Sequence, residues 1–143
     1  MPGHPGPGSL PAMPFSVEVP VTVRWRDIDA LGHVNNAVFL TYLETGRDRF
    51  FHALVGDTFL DLVLVRLEID FKAEIPMGTE EVLVTCRATE IGRTSMRTTE
   101  QILLPGGGVA AQSQTVIVAR DEKTRSSRPW TEEERAILTD AIG

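Results

Sequence analysis

A single change of hydrophobic period constrains this chain more than any other feature. Val17, Val19, Val21, Val23 and Trp25 alternate with Glu18, Thr22, Arg24 and Arg26, which is the period of a strand (16–26) with one buried face. Over residues 37–55 the period becomes helical. Phe39, Leu43, Gly46, Phe50 and Leu54 recur every three or four residues, and Val38, Leu40, Tyr42 and Phe51 widen the stripe toward a largely enclosed helix. Asn35 or Asn36 suits its N-cap, and Gly56 its C-terminal stop. The alternation then returns: residues 63–75, 80–89, 94–104 and 109–120 each read as a strand, joined by turns at 76–79, 90–93 and 105–108. A strand, not a helix, follows the glycine-rich 105–108 stretch, so it is a hairpin connection rather than a phosphate loop.

Short turns make neighbouring strands antiparallel, and a lone helix must bury its stripe on one sheet face. The pattern therefore predicts an α+β domain with a curved five-stranded antiparallel sheet around one long central helix. Pro20 removes a ladder donor, which points to an edge strand or a bulge. Such a sheet has two edges, and pairing with a second copy is a natural way to cover one. Residues 1–14 hold five of the nine prolines and three glycines and read as a disordered tail. The domain proper is expected over 15–120. Residues 121–143 form a charged linker and a short C-terminal helix, Glu132–Ile142, opened by the capping-box pattern Thr131-x-x-Glu134.

Composition narrows the functions. The 143 residues are 42% hydrophobic and 24% charged, enough for a core of their own. Acidic residues outnumber basic ones 20 to 14, a formal charge of −6 that argues against nucleic-acid binding. No apolar run reaches the roughly 18 residues of a membrane span, and no signal peptide opens the chain. A cytoplasmic protein without a membrane partner is expected. Cys86 is the only cysteine and one of the three histidines lies in the tail, so neither a disulfide nor a zinc site is expected, and no cofactor is implied.

The chemistry concentrates between the first strand and the helix. Taken singly, Asp27 and Asp29 fit helix capping or dipole balance, His33 a loop position, and Asn35 and Asn36 a cap. Taken together, Trp25-Arg26-Asp27-Ile28-Asp29-Ala30-Leu31-Gly32-His33-Val34-Asn35-Asn36 resembles the D-x-D-x-x-G-H-V-N-N signature of hotdog-fold acyl-CoA thioesterases, and looks most like their 4-hydroxybenzoyl-CoA thioesterase-like branch. The similarity continues through the long helix, the strand segment Arg66-Leu67-Glu68-Ile69-Asp70-Phe71 and the turn Pro76-x-Gly78, over about residues 16–120.

The resemblance implies a hotdog fold and hydrolysis of an acyl-CoA to free acid and CoA. Asp29 matches the family's catalytic carboxylate, acting either as nucleophile or as general base. Asn36, at the helix start, would aim its backbone N–H at the thioester carbonyl. Gly32, His33, Val34 and Asn35 would shape the substrate loop, and Asp27 would either support it or raise the pKa of Asp29. Arg93, Thr94 and Ser95 are candidates for the CoA end, as are Arg120, Lys123, Arg125 and Arg128 for its phosphates. Phe39, Tyr42, Leu43 and Phe50 could add apolar wall beside the acyl group. The implied partners are an acyl-CoA and further copies of the chain, as a homodimer or dimer of dimers with sites at the interface; an acyl carrier protein is a further possible partner. Two other functions are weighed: a non-catalytic acyl-thioester-binding module, and an enoyl-thioester hydratase, whose motif has different Asp–His spacing and a proline absent here.

Overall fold

The computed structural model describes residues 14–143, so the tail read from the sequence lies, but for Pro14, outside the described residues. Strands β1 (Ser16–Thr22), β2 (Leu62–Phe71), β3 (Glu81–Ile91), β4 (Ser95–Leu103) and β5 (Val109–Ala119) form one sheet in the order β1-β3-β4-β5-β2. Every neighbouring pair is antiparallel. Helix α1 (Asn36–Val55) joins β1 to β2 across one face, and α2 (Glu132–Ile142) packs beside it. This is the hotdog architecture, a curved sheet around one long helix with a short C-terminal helix.

α1 buries Phe39, Leu43, Gly46 and Phe50 against the sheet as the period predicts, together with Tyr42, Arg47 and Phe51. It is not enclosed on all sides: Leu40, Thr41, Glu44, Asp48 and His52 face outward. Asn35 is its N-cap, and Gly56, at a φ of 60°, ends it. The apolar core falls into two clusters. One gathers Phe39, Tyr42, Leu43, Ile75, Val82, Val84 and Ile102 at the helix start, and the other gathers Phe50, Phe51, Met96, Ile117, Trp130 and Leu138 at the helix end.

The expected strand bounds need correction at two places. β1 stops at Thr22, and residues 25–27 wind into a single 3₁₀ turn that leaves Trp25 92% exposed. Local bonds cause the break: the Asp27 carboxylate accepts the Arg24 N–H at 2.9 Å, and the Asp27 N–H reaches the Arg24 carbonyl at 3.0 Å. The second long strand spans Leu62–Phe71 rather than 63–75, and a bulge between Leu64 and Arg66 resets its alternation. Val65 is consequently 57% exposed, while Leu67 and Ile69 keep their inward side. Pro20 sits on an edge strand in unbroken register with β3, opposite Leu83, so the edge alternative holds and the bulge does not.

Gly46 marks the closest approach of helix to sheet. A Cβ built there would overlap Val84 Cγ1, well inside contact distance. Gly46→Ala should destabilise the protein by about 1–3 kcal/mol through overpacking, despite an intrinsic helix gain of about 1 kcal/mol. In a Val84→Ala background the same substitution should become neutral or stabilising. Urea unfolding of the four-member cycle checks both signs.

Candidate active site

The segment between β1 and α1 is organised around Asp27. Its buried carboxylate accepts the Arg24 N–H at 2.9 Å, the Arg24 guanidinium at 3.0 Å and the Tyr42 hydroxyl at 2.6 Å. Its carbonyl accepts the Asn35 N–H at 2.9 Å. One residue thus binds the chain after β1, the first residue before α1 and the flank of α1 itself. Burial pushes the Asp27 carboxyl up, but the Tyr42 hydroxyl and the Arg24 amide and guanidinium outweigh it and hold the group below the ordinary value of 3.8. Burial, reinforced by donation to Asp27, pushes the Tyr42 phenol the other way.

Residues 29–34 close a tight loop. The Asp29 N–H donates to the His33 carbonyl at 3.0 Å, and the Gly32 N–H to the Asp29 carbonyl at 3.1 Å. Gly32 takes a φ of 86°, a conformation that strains any side chain. The turn before β3 holds the loop from outside, through Met77 N–H to the Gly32 carbonyl at 3.0 Å and Val34 N–H to the Ile75 carbonyl at 2.9 Å. Val34 is fully buried in the first core cluster, and the Nδ1 of His33 lies 3.3 Å from the Val34 carbonyl oxygen.

Asn35 connects this loop to the helix. Its Oδ1 accepts the Ala37 N–H at 2.9 Å, and its Nδ2 donates to Asp29 Oδ2 at 3.1 Å. The other Asp29 oxygen accepts the Leu31 N–H at 2.9 Å. The Val38 N–H is bound by the Asn35 carbonyl at 2.9 Å. Asn36 occupies the first helical position, where an N–H has no intrahelical acceptor, and it finds none among the described residues. Beside it opens a cleft of about 240 Å³, lined by His33, Val34, Asn36, Phe39, Phe71, Lys72, Ala73 and Glu74. Chemically, the arrangement pairs a carboxylate held by neutral donors with an unspent amide at the positive end of a helix.

The motif residues Asp29, Gly32, His33, Val34, Asn35 and Asn36 therefore come together. Arg93, Thr94 and Ser95 do not join them within one chain. They form the turn after β3, where Thr94 and Ser95 are held by the Ala119 N–H and the Trp130 indole, at the sheet end opposite the motif. At about 3.3 Å per residue, the eleven residues of β3 separate the two ends by roughly 30 Å. Arg128 is committed to a two-pronged pair with Glu134 at 2.8 and 3.1 Å. Lys123 and Arg125 are exposed, and Arg120 is half-buried. Among the described residues no three His, Cys, Asp or Glu side chains cluster to hold a metal ion. Sequence reasoning missed two features. The hydroxyl role of Tyr42 was hidden by its place in an apolar stripe. Phe71 and Lys72 reach the cleft only because β2 ends beside the motif loop.

Comparison with known proteins identifies the family. The sequence profile of the Thioesterase-like superfamily matches residues 23–138, and the chain belongs to that family. Among solved structures it is similar to a Thermus thermophilus thioesterase complexed with coenzyme A and Zn, at 36% identity over 88% of this chain and 94% of that one, with a TM-score of 0.79. It is also similar to a predicted thioesterase from Bacillus stearothermophilus, at 26% identity over 90% and 98% of the two chains and a TM-score of 0.81. The DHNA-CoA thioesterase of Staphylococcus aureus shares the fold at 15% identity over 87% and 89% of the two chains, with a TM-score of 0.77. No curated protein matches the sequence.

Tyr42→Phe removes a buried bond to a charged acceptor and should cost about 1.5–3 kcal/mol at neutral pH. Because Asp27 sits below its ordinary value in the folded state, its contribution is present above about pH 4 and is lost as pH falls through the lower folded value. The gap between wild type and Tyr42→Phe should therefore narrow in acid, as read from unfolding midpoints at pH 7 and pH 3.

Proposed function

We propose that the protein is an acyl-CoA thioesterase in which Asp29 does the chemistry and the Asn36 N–H polarises the thioester carbonyl. The observation that carries this reading is the Asn35 side chain, which caps α1 and holds Asp29 at once, so that carboxylate and amide belong to one rigid unit. Asp29 keeps lone pairs beyond those bound by Leu31 and Asn35. As general base it takes a proton from water, whose oxygen bonds to the carbonyl carbon while the negative charge gathers on the carbonyl oxygen. The carbon–sulfur bond then breaks, and the CoA thiolate leaves and is protonated. As nucleophile the carboxylate attacks the carbonyl carbon and displaces the CoA thiolate, which is then protonated, and water opens the resulting anhydride to release the free acid and restore the carboxylate. His33 and Val34 bound the acyl cleft, and Gly32 gives their loop its turn.

A homodimer paired along β2 completes this reading. Of the two edges, β1 carries Pro20 and Glu18, whereas β2 has no proline and exposes Leu64, Val65 and Phe71. Antiparallel pairing of β2 with its copy sets the Phe71 end of one chain beside the Leu62 end of the other. At about 4.8 Å per strand, the partner subunit's Arg93, Thr94 and Ser95 would then stand two strands, roughly 10 Å, in from that edge, near the cleft. The CoA phosphates would be bound by the subunit that does not supply Asp29.

Asp29→Asn should leave the fold and melting temperature unchanged and lower kcat by about 10²–10⁴-fold, measured as free thiol released from a panel of acyl-CoAs. Wild-type turnover by that variant would remove Asp29 from the chemistry. Binding without thiol release by the wild type would favour a non-catalytic binding module. Arg93→Ala should raise KM for an acyl-CoA while leaving the N-acetylcysteamine thioester of the same acyl group unaffected, because the latter lacks the nucleotide.

A further inference from the structure

The apolar core is interrupted between its two clusters by a buried pair of opposite charges, Arg47 and Glu100. Glu100 of β4 is fully buried on the helix-facing side of the sheet, and its neighbours are donors. Ser113 Oγ reaches Oε1 at 2.6 Å, while Oε2 meets Thr98 Oγ1, Thr115 Oγ1 at 3.3 Å and Cys86 Sγ at 3.8 Å. This shell is drawn from β3, β4 and β5 and reaches both carboxylate oxygens. The countercharge comes from the helix: Arg47, itself buried, places Nη1 3.3 Å from Oε1. On the buried face of α1, Arg47 and Tyr42 are the polar side chains; Tyr42 ties the helix to the motif loop, and Arg47 ties it to the sheet.

A buried ion pair is a poor source of stability, because desolvation cancels most of the attraction. It is a good source of register. Apolar contacts are non-directional and leave a helix free to slide along a sheet; a guanidinium facing a carboxylate that three strands hold still does not. A slip of one residue is about 1.5 Å, enough to break the bond. The helix that Arg47 pins carries the Asn36 N–H at its N-terminus, and an oxyanion donor must sit about 2.7–3.1 Å from the charge it stabilises. We propose that the Arg47–Glu100 pair is a positioning device that fixes the axial setting of α1 and so aims the Asn36 N–H. This rests on the thioesterase reading above. Gly46, next to Arg47, sets how closely the helix lies on the sheet, and Arg47 sets how far along it.

The test separates position from stability. Arg47→Met with Glu100→Leu replaces the pair by apolar side chains of similar size, a change that is often neutral for buried pairs, and the Thr98 and Thr115 hydroxyls it releases already face each other. The double variant should keep its melting temperature and its KM for acyl-CoA, while kcat falls roughly ten- to a hundredfold. Unchanged kcat at unchanged melting temperature overturns the proposal. If the double variant does not fold, Arg47→Lys decides. It keeps the charge but loses the planar fork, and the same fall in kcat at constant KM supports the proposal, whereas wild-type kcat overturns it. Amide NMR signals of Asn36 and Ala37 are read in parallel. Should the wild type release thiol from no acyl-CoA, the thioesterase reading fails, and displacement of those two signals in the folded variant still supports the positioning role; unmoved signals overturn it.

Discussion

The organisation of the site depends on the Asp27 carboxylate. It is charged and buried, a costly combination unless its lone pairs are used, and the protein meets that demand with three donor groups from two residues: the Arg24 amide, the Arg24 guanidinium and the Tyr42 hydroxyl. Satisfying one anion therefore forces the chain after β1 to turn, the helix to lie at a set height beside it, and the loop between them to close. Half-buried Asp29 does not set its own position. It inherits its geometry from the buried aspartate two residues before it.

That dependence explains a division of labour within D-x-D. Asp27 and Asp29 are the same residue type, yet one is saturated with donors, including a guanidinium, and the other is held by a backbone amide and a side-chain amide with capacity to spare. A carboxylate that must react needs the second kind of environment. A carboxylate that must hold shape needs the first. The spacing of two lets a single 3₁₀ turn bury the first and present the second.

Much of this was legible in the sequence. The helix, its cap at Asn35 and stop at Gly56, the antiparallel strands and the edge position compatible with Pro20 all follow from period and local chemistry. The motif residues converge because ten consecutive positions between a strand and a helix have little room to diverge. What stayed hidden has physical causes. Alternation continues through Trp25 in the sequence, but side-chain-to-backbone bonds around Asp27 end the strand three residues earlier, and hydropathy carries no record of them. The bulge after Leu64 shifts the phase of β2 without leaving a glycine or proline to announce it. Nothing in the sequence singles out Arg47 or Glu100, since each lies 53 positions from its partner and only the fold brings them together.

The two borders of the sheet differ in kind. β1 ends the sheet with Pro20, which has no N–H to offer, beside an exposed glutamate, whereas β2 ends it with an intact row of backbone groups and uncovered apolar side chains. Growth by strand addition is therefore one-sided. Two molecules that meet through their receptive borders leave only unreceptive ones facing solvent, so association of this type terminates at a closed pair instead of running on as a fibre. In a pair joined that way, the imino acid of β1 would mark the border at which strand addition stops.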